Sequence, residues 1–282
     1  MFQTLIDAQE LKPLIGQPNL VIIDCRFALT DTESGKAEYQ ATHLPGAHYA
    51  HLDRDLSGEI IPGKTGRHPL PEIKTFADKC SQWGINADTQ VVAYDHGNGG
   101  IAARLWFLLR WLGHEKVAVL NGGWAHWQKL QYPVTAEITP AMPSVFTPNR
   151  QEGWIIDLNT LAQVYQSASC LVVDSRTADR YRGENETIDP VAGHIPGAIS
   201  APFPDNLGPD GLFLDKATLA ARFDQRLQGH DLKQTVFYCG SGVTACHNLL
   251  ALHYIGRTEA KLFPGSWSEW ITATHLPVAL GA

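Results

Sequence analysis

Five landmarks recur in the same order in the two halves of this chain, and that doubling limits the possible folds more than any other feature. Residues 20–26 read Leu-Val-Ile-Ile-Asp-Cys-Arg, and residues 171–176 read Leu-Val-Val-Asp-Ser-Arg. His43-Leu44-Pro45-Gly46-Ala47 returns as His194-Ile195-Pro196-Gly197-Ala198. The run Val91 to Asp95 returns as Val236 to Cys239. Gly122-Gly123-Trp124-Ala125-His126-Trp127 matches Gly265-Ser266-Trp267-Ser268-Glu269-Trp270, and Tyr132-Pro133-Val134 matches Leu276-Pro277-Val278. The displacement stays between 143 and 151 residues, which marks two copies of one domain rather than a short solenoid repeat. The 282 residues also suit two domains. The expected division is 1–137 and 154–282, joined at 138–153, where Pro140, Pro143 and Pro148 interrupt a polar stretch.

Each copy alternates short apolar β-branched runs with amphipathic stretches. The runs at 21–24, 91–94, 117–120, 171–174, 235–238 and 260–263 are too short for helices and mostly apolar, as strands covered on both faces are. The stretches at 71–83, 101–112, 122–129, 216–227, 244–254 and 266–272 predict helices. The expected fold is α/β, each copy a mostly parallel sheet with helices on both faces.

Composition excludes several classes. Twenty-nine acidic against 22 basic residues give −7, which argues against nucleic acid as a partner. The longest apolar stretch, 101–112, carries Arg104 and Arg110, so no membrane span is expected. Asp7 and Glu10 break the N-terminal run where a signal peptide needs an apolar core, so a soluble cytoplasmic protein is expected. Five cysteines with no Cys-x-x-Cys speak against a disulfide framework and a zinc knuckle. No metal or cofactor is expected.

The chemistry is expected at the carboxyl end of a strand. The run at 235–238 feeds Cys239-Gly240-Ser241-Gly242-Val243-Thr244-Ala245, and a helix follows. Two glycines let the backbone curl with its N–H groups inward, and the helix start adds more donors and a positive dipole end. A cysteine opening such a loop is favoured as thiolate. Against this stands the common fate of a free cysteine, burial as a small hydrophobe. Cys25, Cys80, Cys170 and Cys246 keep that reading, with a resolving role as the lesser alternative for Cys246. The first copy has Asp95 where the second has Cys239. A carboxylate carries no persulfide, so that half is expected to be silent.

The doubled His-x-Pro-Gly-Ala, the Asp-x-Arg pair, the spaced tryptophans and the Cys-Gly-Ser-Gly-Val-Thr-Ala loop together resemble the tandem rhodanese-domain sulfurtransferases, over nearly the whole chain. The resemblance implies an inactive first domain, a persulfide on Cys239 and transfer of sulfur from a small-molecule donor to cyanide, a small thiol or a protein thiol. The loop is similar to that of the 3-mercaptopyruvate group, and its neutral Gly240 and Ser241 suit a monoanion. That group implies a Ser-His-Asp constellation, here Ser241, His68 and Asp53. The alternative makes His68 a turn residue and Asp53 a helix cap. The group also implies two donor-binding arginines nine residues apart. Arg180 matches the first, but Asp189 stands at the second, so thiosulfate stays open as donor; Arg182 is a candidate substitute. The residues Gly240, Gly242, Val243 and Thr244 are expected to line the donor site. Arg104 is either a cleft residue or one on a helix surface. Pro264 replaces an acidic residue of the family.

Two other functions compete. A cysteine-dependent phosphatase also cradles an oxyanion before a helix, but it needs an arginine where this chain has Ala245. A non-catalytic binding module would leave Cys239 an ordinary thiol.

Overall fold

The computed structural model describes residues 1–281. The apolar runs become parallel strands because crossover helices cover both faces and each strand has no polar side to turn outward. The first copy runs β1 (Leu5–Ile6), α1 (Ala8–Leu11), β2 (Leu20–Asp24), α2 (Ser34–Ala41), β3 (Ala47–Tyr49), α3 (Leu52–Asp55), α4 (Ile73–Gln82), β4 (Gln90–Tyr94), α5 (Ala102–Trp111), β5 (Val117–Leu120) and α6 (Gly123–Lys129). The second runs α7 (Leu158–Val164), β6 (Leu171–Asp174), α8 (Ala178–Arg182), β7 (Ile199–Ser200), α9 (Lys216–Leu227), β8 (Thr235–Tyr238), α10 (Ala245–Tyr254), β9 (Lys261–Leu262) and α11 (Ser266–Trp270).

The sheets are ordered β1-β5-β4-β2-β3 and β7-β6-β8-β9, parallel throughout. β2 and β4 of the first correspond to β6 and β8 of the second. Ile22, Val92, Ala118, Trp124 and Trp127 meet in one core, and Val172, Val236, Phe263, Trp267 and Trp270 in the other. The paired tryptophans are packing residues.

The repeated motifs fold alike. In each copy an aspartate ends the inner strand and grips its own arginine two residues on, Asp24 with Arg26 and Asp174 with Arg176, all four buried. Arg26 lies over Trp124 and Arg176 over Trp267, 4.3 and 4.9 Å from the ring centres. Such buried pairs hold only because each guanidinium has further partners, the carbonyls of Thr42 and Gly193. The His-x-Pro-Gly-Ala element is a turn feeding a strand, with Gly46 and Gly197 at φ +77° and +83°. Its histidines, His43 and His194, bond through Nδ1 to the carbonyls of Tyr39 and Tyr181.

The chain does not divide at one point. One unit comprises 1–58, 70–151 and 209–213, the other 59–69, 152–208 and 214–282. This departs from the expected division in two ways. The stretch read as a linker, 138–153, largely belongs to the first unit: Ser144 and Phe146 donate to Ser81, and Asn149 and Gln151 to the carbonyls of Leu112 and Trp111. Backbone bonding of this kind leaves no hydrophobic period to read. Residues 59–69, by contrast, count with the second unit.

Candidate active site

Strand β8 delivers Cys239 to its carboxyl end, and α11 fixes the turn that follows. The Cys239 N–H donates to Ser266 Oγ at 3.0 Å. The carbonyls of Cys239 and Gly240 accept from the N–H groups of Trp267 and Ser268 at 3.0 and 2.9 Å. Gly242 then turns the chain inward at φ +77°, and its N–H donates to Cys239 Sγ at 3.2 Å. A Cβ at Gly242 would sit 2.1 Å from the Pro264 carbonyl oxygen, so only glycine fits. Val243 and Ala245 are buried, and Ala245 begins α10.

Cys239 is 1% exposed. Burial alone would push its thiol up, but the Thr244 hydroxyl and the N–H groups of Ser241, Ala245 and Gly242 outweigh it and hold the thiol below its ordinary pKa. Burial pushes the thiols of Cys25, Cys80 and Cys170 up instead. Cys246 lies under the loop, its Sγ 3.4 Å from the Gly242 carbonyl oxygen.

Beside the cysteine, Ser241 Oγ and His68 Nδ1 share a 2.7 Å hydrogen bond, both side chains buried. His68 lies in a bend, and this bond ties it to the loop. It lies in residues 59–69, which fold with the second unit and not, as the sequence suggests, with the silent half. Asp53 belongs to the first unit, on α3. It is not the cap of that helix: His51 is, accepting the Asp53 N–H at 3.1 Å. Arg104, also in the first unit, is no surface residue. It is fully buried in α5 and its Nε donates to the Leu56 carbonyl at 3.3 Å.

Two guanidiniums stand over Gly240. A Cβ there would lie 3.0 Å from Arg67 Nη2 and 3.4 Å from Arg180 Nη2. Glu186 takes Arg180 through two bonds of 3.0 Å, to Nε and Nη2. Asp189 bridges the pair, accepting from Arg67 Nη1 with one oxygen and from Arg180 Nη2 with the other, at 3.1 Å. Arg182, the candidate substitute, points elsewhere and pairs with Glu184. The sequence offered no pattern for Arg67, Glu186 or the bridging by Asp189; the only trace was Arg67 beside His68.

The first unit contains the same turn filled differently. Asp95 Oδ1 accepts from the N–H groups of Gly97 and Gly99 at 3.0 and 2.9 Å, and Oδ2 from Ile101 and Ala102 at 2.9 and 3.2 Å. The loop is satisfied by its own side chain. His96, next in sequence, pairs with Glu38 at 2.7 Å. Among the described residues no three or more His, Cys, Asp or Glu side chains are grouped to hold a metal.

Comparison with known proteins finds one domain type twice in the chain. The rhodanese-like domain model matches residues 7–130 and 157–273. A probable 3-mercaptopyruvate sulfurtransferase of Pseudomonas aeruginosa is 47% identical over 278 residues, 98% of each chain. A putative thiosulfate sulfurtransferase, SseB of Mycobacterium tuberculosis, is 38% identical over 99% of this chain and 98% of its own. Among solved structures, the 3-mercaptopyruvate sulfotransferase SseA from Escherichia coli superposes with a TM-score of 0.81 at 31% identity, covering 95% of this chain and all of that one.

Proposed function

The chain belongs to the rhodanese-like domain family and is a sulfurtransferase, and on that premise we propose that Cys239 carries sulfur as a persulfide from 3-mercaptopyruvate to a thiophilic acceptor. The observation that carries the reading is the thiolate-favouring turn: a buried cysteine held below its ordinary pKa by the Thr244 hydroxyl and the N–H groups around it, in a protein where burial pushes the thiols of Cys25 and Cys80 up.

The Cys239 thiolate attacks the donor sulfur. The new S–S bond forms as the donor's C–S bond breaks, and its electron pair leaves as the enolate of pyruvate. The donor's S–H proton is released as the persulfide ionises, and the Ser241–His68 pair passes one proton to the enolate, giving pyruvate. The N–H groups of Ser241, Gly242 and Ala245 stabilise the negative persulfide. Cyanide, a small thiol or a protein thiol then removes the outer sulfur and regenerates the thiolate. Asp53 and Arg104 remain assigned by resemblance alone.

3-Mercaptopyruvate is favoured over thiosulfate on two counts. The loop places no charge after the cysteine to match a dianion. Sulfite, the product from thiosulfate, leaves without needing a proton, so it would give the Ser241–His68 pair no task. Phosphatase chemistry is disfavoured because Ala245 offers no guanidinium to clamp a phosphate. No described helix is long and apolar enough to cross a membrane, and the five free cysteines suit a reducing compartment, in keeping with a cytoplasmic location.

Donor-treated protein is expected to gain the mass of one sulfur atom on the peptide holding Cys239, and Cys239→Ser to gain none and turn over neither donor. Sulfur transfer by Cys239→Ser would overturn the reading. Parallel assays with the two donors, cyanide as common acceptor, are expected to give the higher kcat/KM with 3-mercaptopyruvate.

A further inference from the structure

We infer that Arg67 and Arg180 together bind the donor's carboxylate, and that Asp189 is the positioning residue that holds Arg67 over the loop for this purpose. The inference rests on the sulfurtransferase reading for the identity of the donor, but on geometry alone for the site.

Both guanidiniums approach Gly240, the residue after the nucleophile. Neither is loose. Asp189, with its side chain 1% exposed, and Glu186, at 2%, pin one edge of each. The bonds they make leave specific donors over. Arg67 Nε is buried without a hydrogen-bond partner, and Arg67 Nη2 and Arg180 Nη1 have none among the described residues. A buried guanidinium N–H left unpaired, as at Arg67 Nε, is costly, and a carboxylate accepting from Arg67 and from Arg180 Nη1 would satisfy it with charge-assisted bonds.

The charges also select the ligand. Arg67 and Arg180 are balanced by Asp189 and Glu186, so the cluster is neutral overall and has an ionised cysteine beside it. One carboxylate is accommodated, whereas a second negative charge close to the thiolate is penalised. Arg67 thus comes to the donor site from a distant segment, 122 positions from Asp189. The acid at position 189, which reads in sequence as the loss of a second donor-binding arginine, is what orients its replacement.

The test needs no sulfur transfer. In 3-bromopyruvate a bromine takes the place of the donor's sulfur, and bromoacetone lacks the carboxylate. With either, the Cys239 thiolate forms an S–C bond while the C–Br bond breaks and bromide leaves. Each rate on the full-length protein is divided by that of a small free thiol, and the ratio of the two reports carboxylate recognition, since any change in thiolate content cancels. Wild type is expected to favour bromopyruvate by about tenfold or more, the value of one strong charged hydrogen-bond pair. Arg67→Gln and Arg180→Gln are expected to bring the ratio towards one, and Asp189→Asn to lower it several-fold. Arg67→Lys keeps a charge for Asp189 but loses the fork, so it lowers the ratio in a folded protein and decides the matter should Arg67→Gln fail to fold. An unchanged ratio in Arg67→Lys, or a higher one in Asp189→Asn, overturns the inference. A full ratio in a protein that forms no persulfide would uphold this site and remove the donor reading instead.

Discussion

At the scale of single residues, what could be read from the sequence was whatever acts through its own neighbours. Cys239 was legible because a strand, a cysteine, two glycines and a helix start are consecutive, and backbone N–H groups do the electrostatic work. Arg67 was not, because its partner Asp189 lies 122 positions away and no local pattern links them. His68 was legible only through resemblance, and its bond to Ser241 is what supports the proton relay proposed for the pair. Removing the proton relay is expected to affect only the donor whose leaving group needs a proton. His68→Asn and Ser241→Ala should therefore lose about a hundredfold in kcat with 3-mercaptopyruvate while turning over thiosulfate at near the parent rate. Steady-state kinetics with both donors measures this, and equal losses on both would remove the relay.

At the scale of elements, periodicity found what is long and missed what is short. The helices α4, α5, α9 and α10 and the strands β2, β4, β5, β6 and β8 were all anticipated. The strands β1 and β7, two residues each, and β3, with three, carry no period and exist because a neighbouring strand offers its free edge. The turn after β8 depends on one position. Gly242→Ala would place a methyl 2.1 Å from the Pro264 carbonyl oxygen at a left-handed φ, whereas Gly197→Ala, also left-handed, meets nothing within 4 Å. The second is expected to cost only the conformational penalty of about 1–2 kcal/mol. The first should lose clearly more in a denaturant titration and abolish sulfur transfer, because the N–H that faces Cys239 moves with it. Equal costs at the two positions would mean that the turn yields to the methyl.

At the scale of the whole molecule, the doubling visible in the sequence is repeated down to the Asp-Arg grips, while the boundaries are not where composition put them. Residues 59–69 and 138–151 each fold with a unit that their composition does not name, because hydrogen bonds from loop backbone to distant carbonyls leave no mark in residue type. One pH effect follows from the second unit. Burial, reinforced by repulsion from Asp157, raises the Glu269 carboxyl to about 7. A folded-state value above the unfolded one means that its contribution to stability is complete below the unfolded value of about 4.3 and is lost as pH rises through 7. Glu269→Gln should remove that loss: calorimetry is expected to show a smaller fall in unfolding temperature between pH 5 and pH 8 than in the parent. A parent-like fall would place Glu269 in open solvent. Finally, Asp95 shows what becomes of this kind of turn when its occupant cannot leave. A carboxylate tied to four amides is a rivet, and it can neither accept cargo nor release it. With sulfur in the corresponding position the turn becomes a berth, loaded by one molecule and unloaded by another.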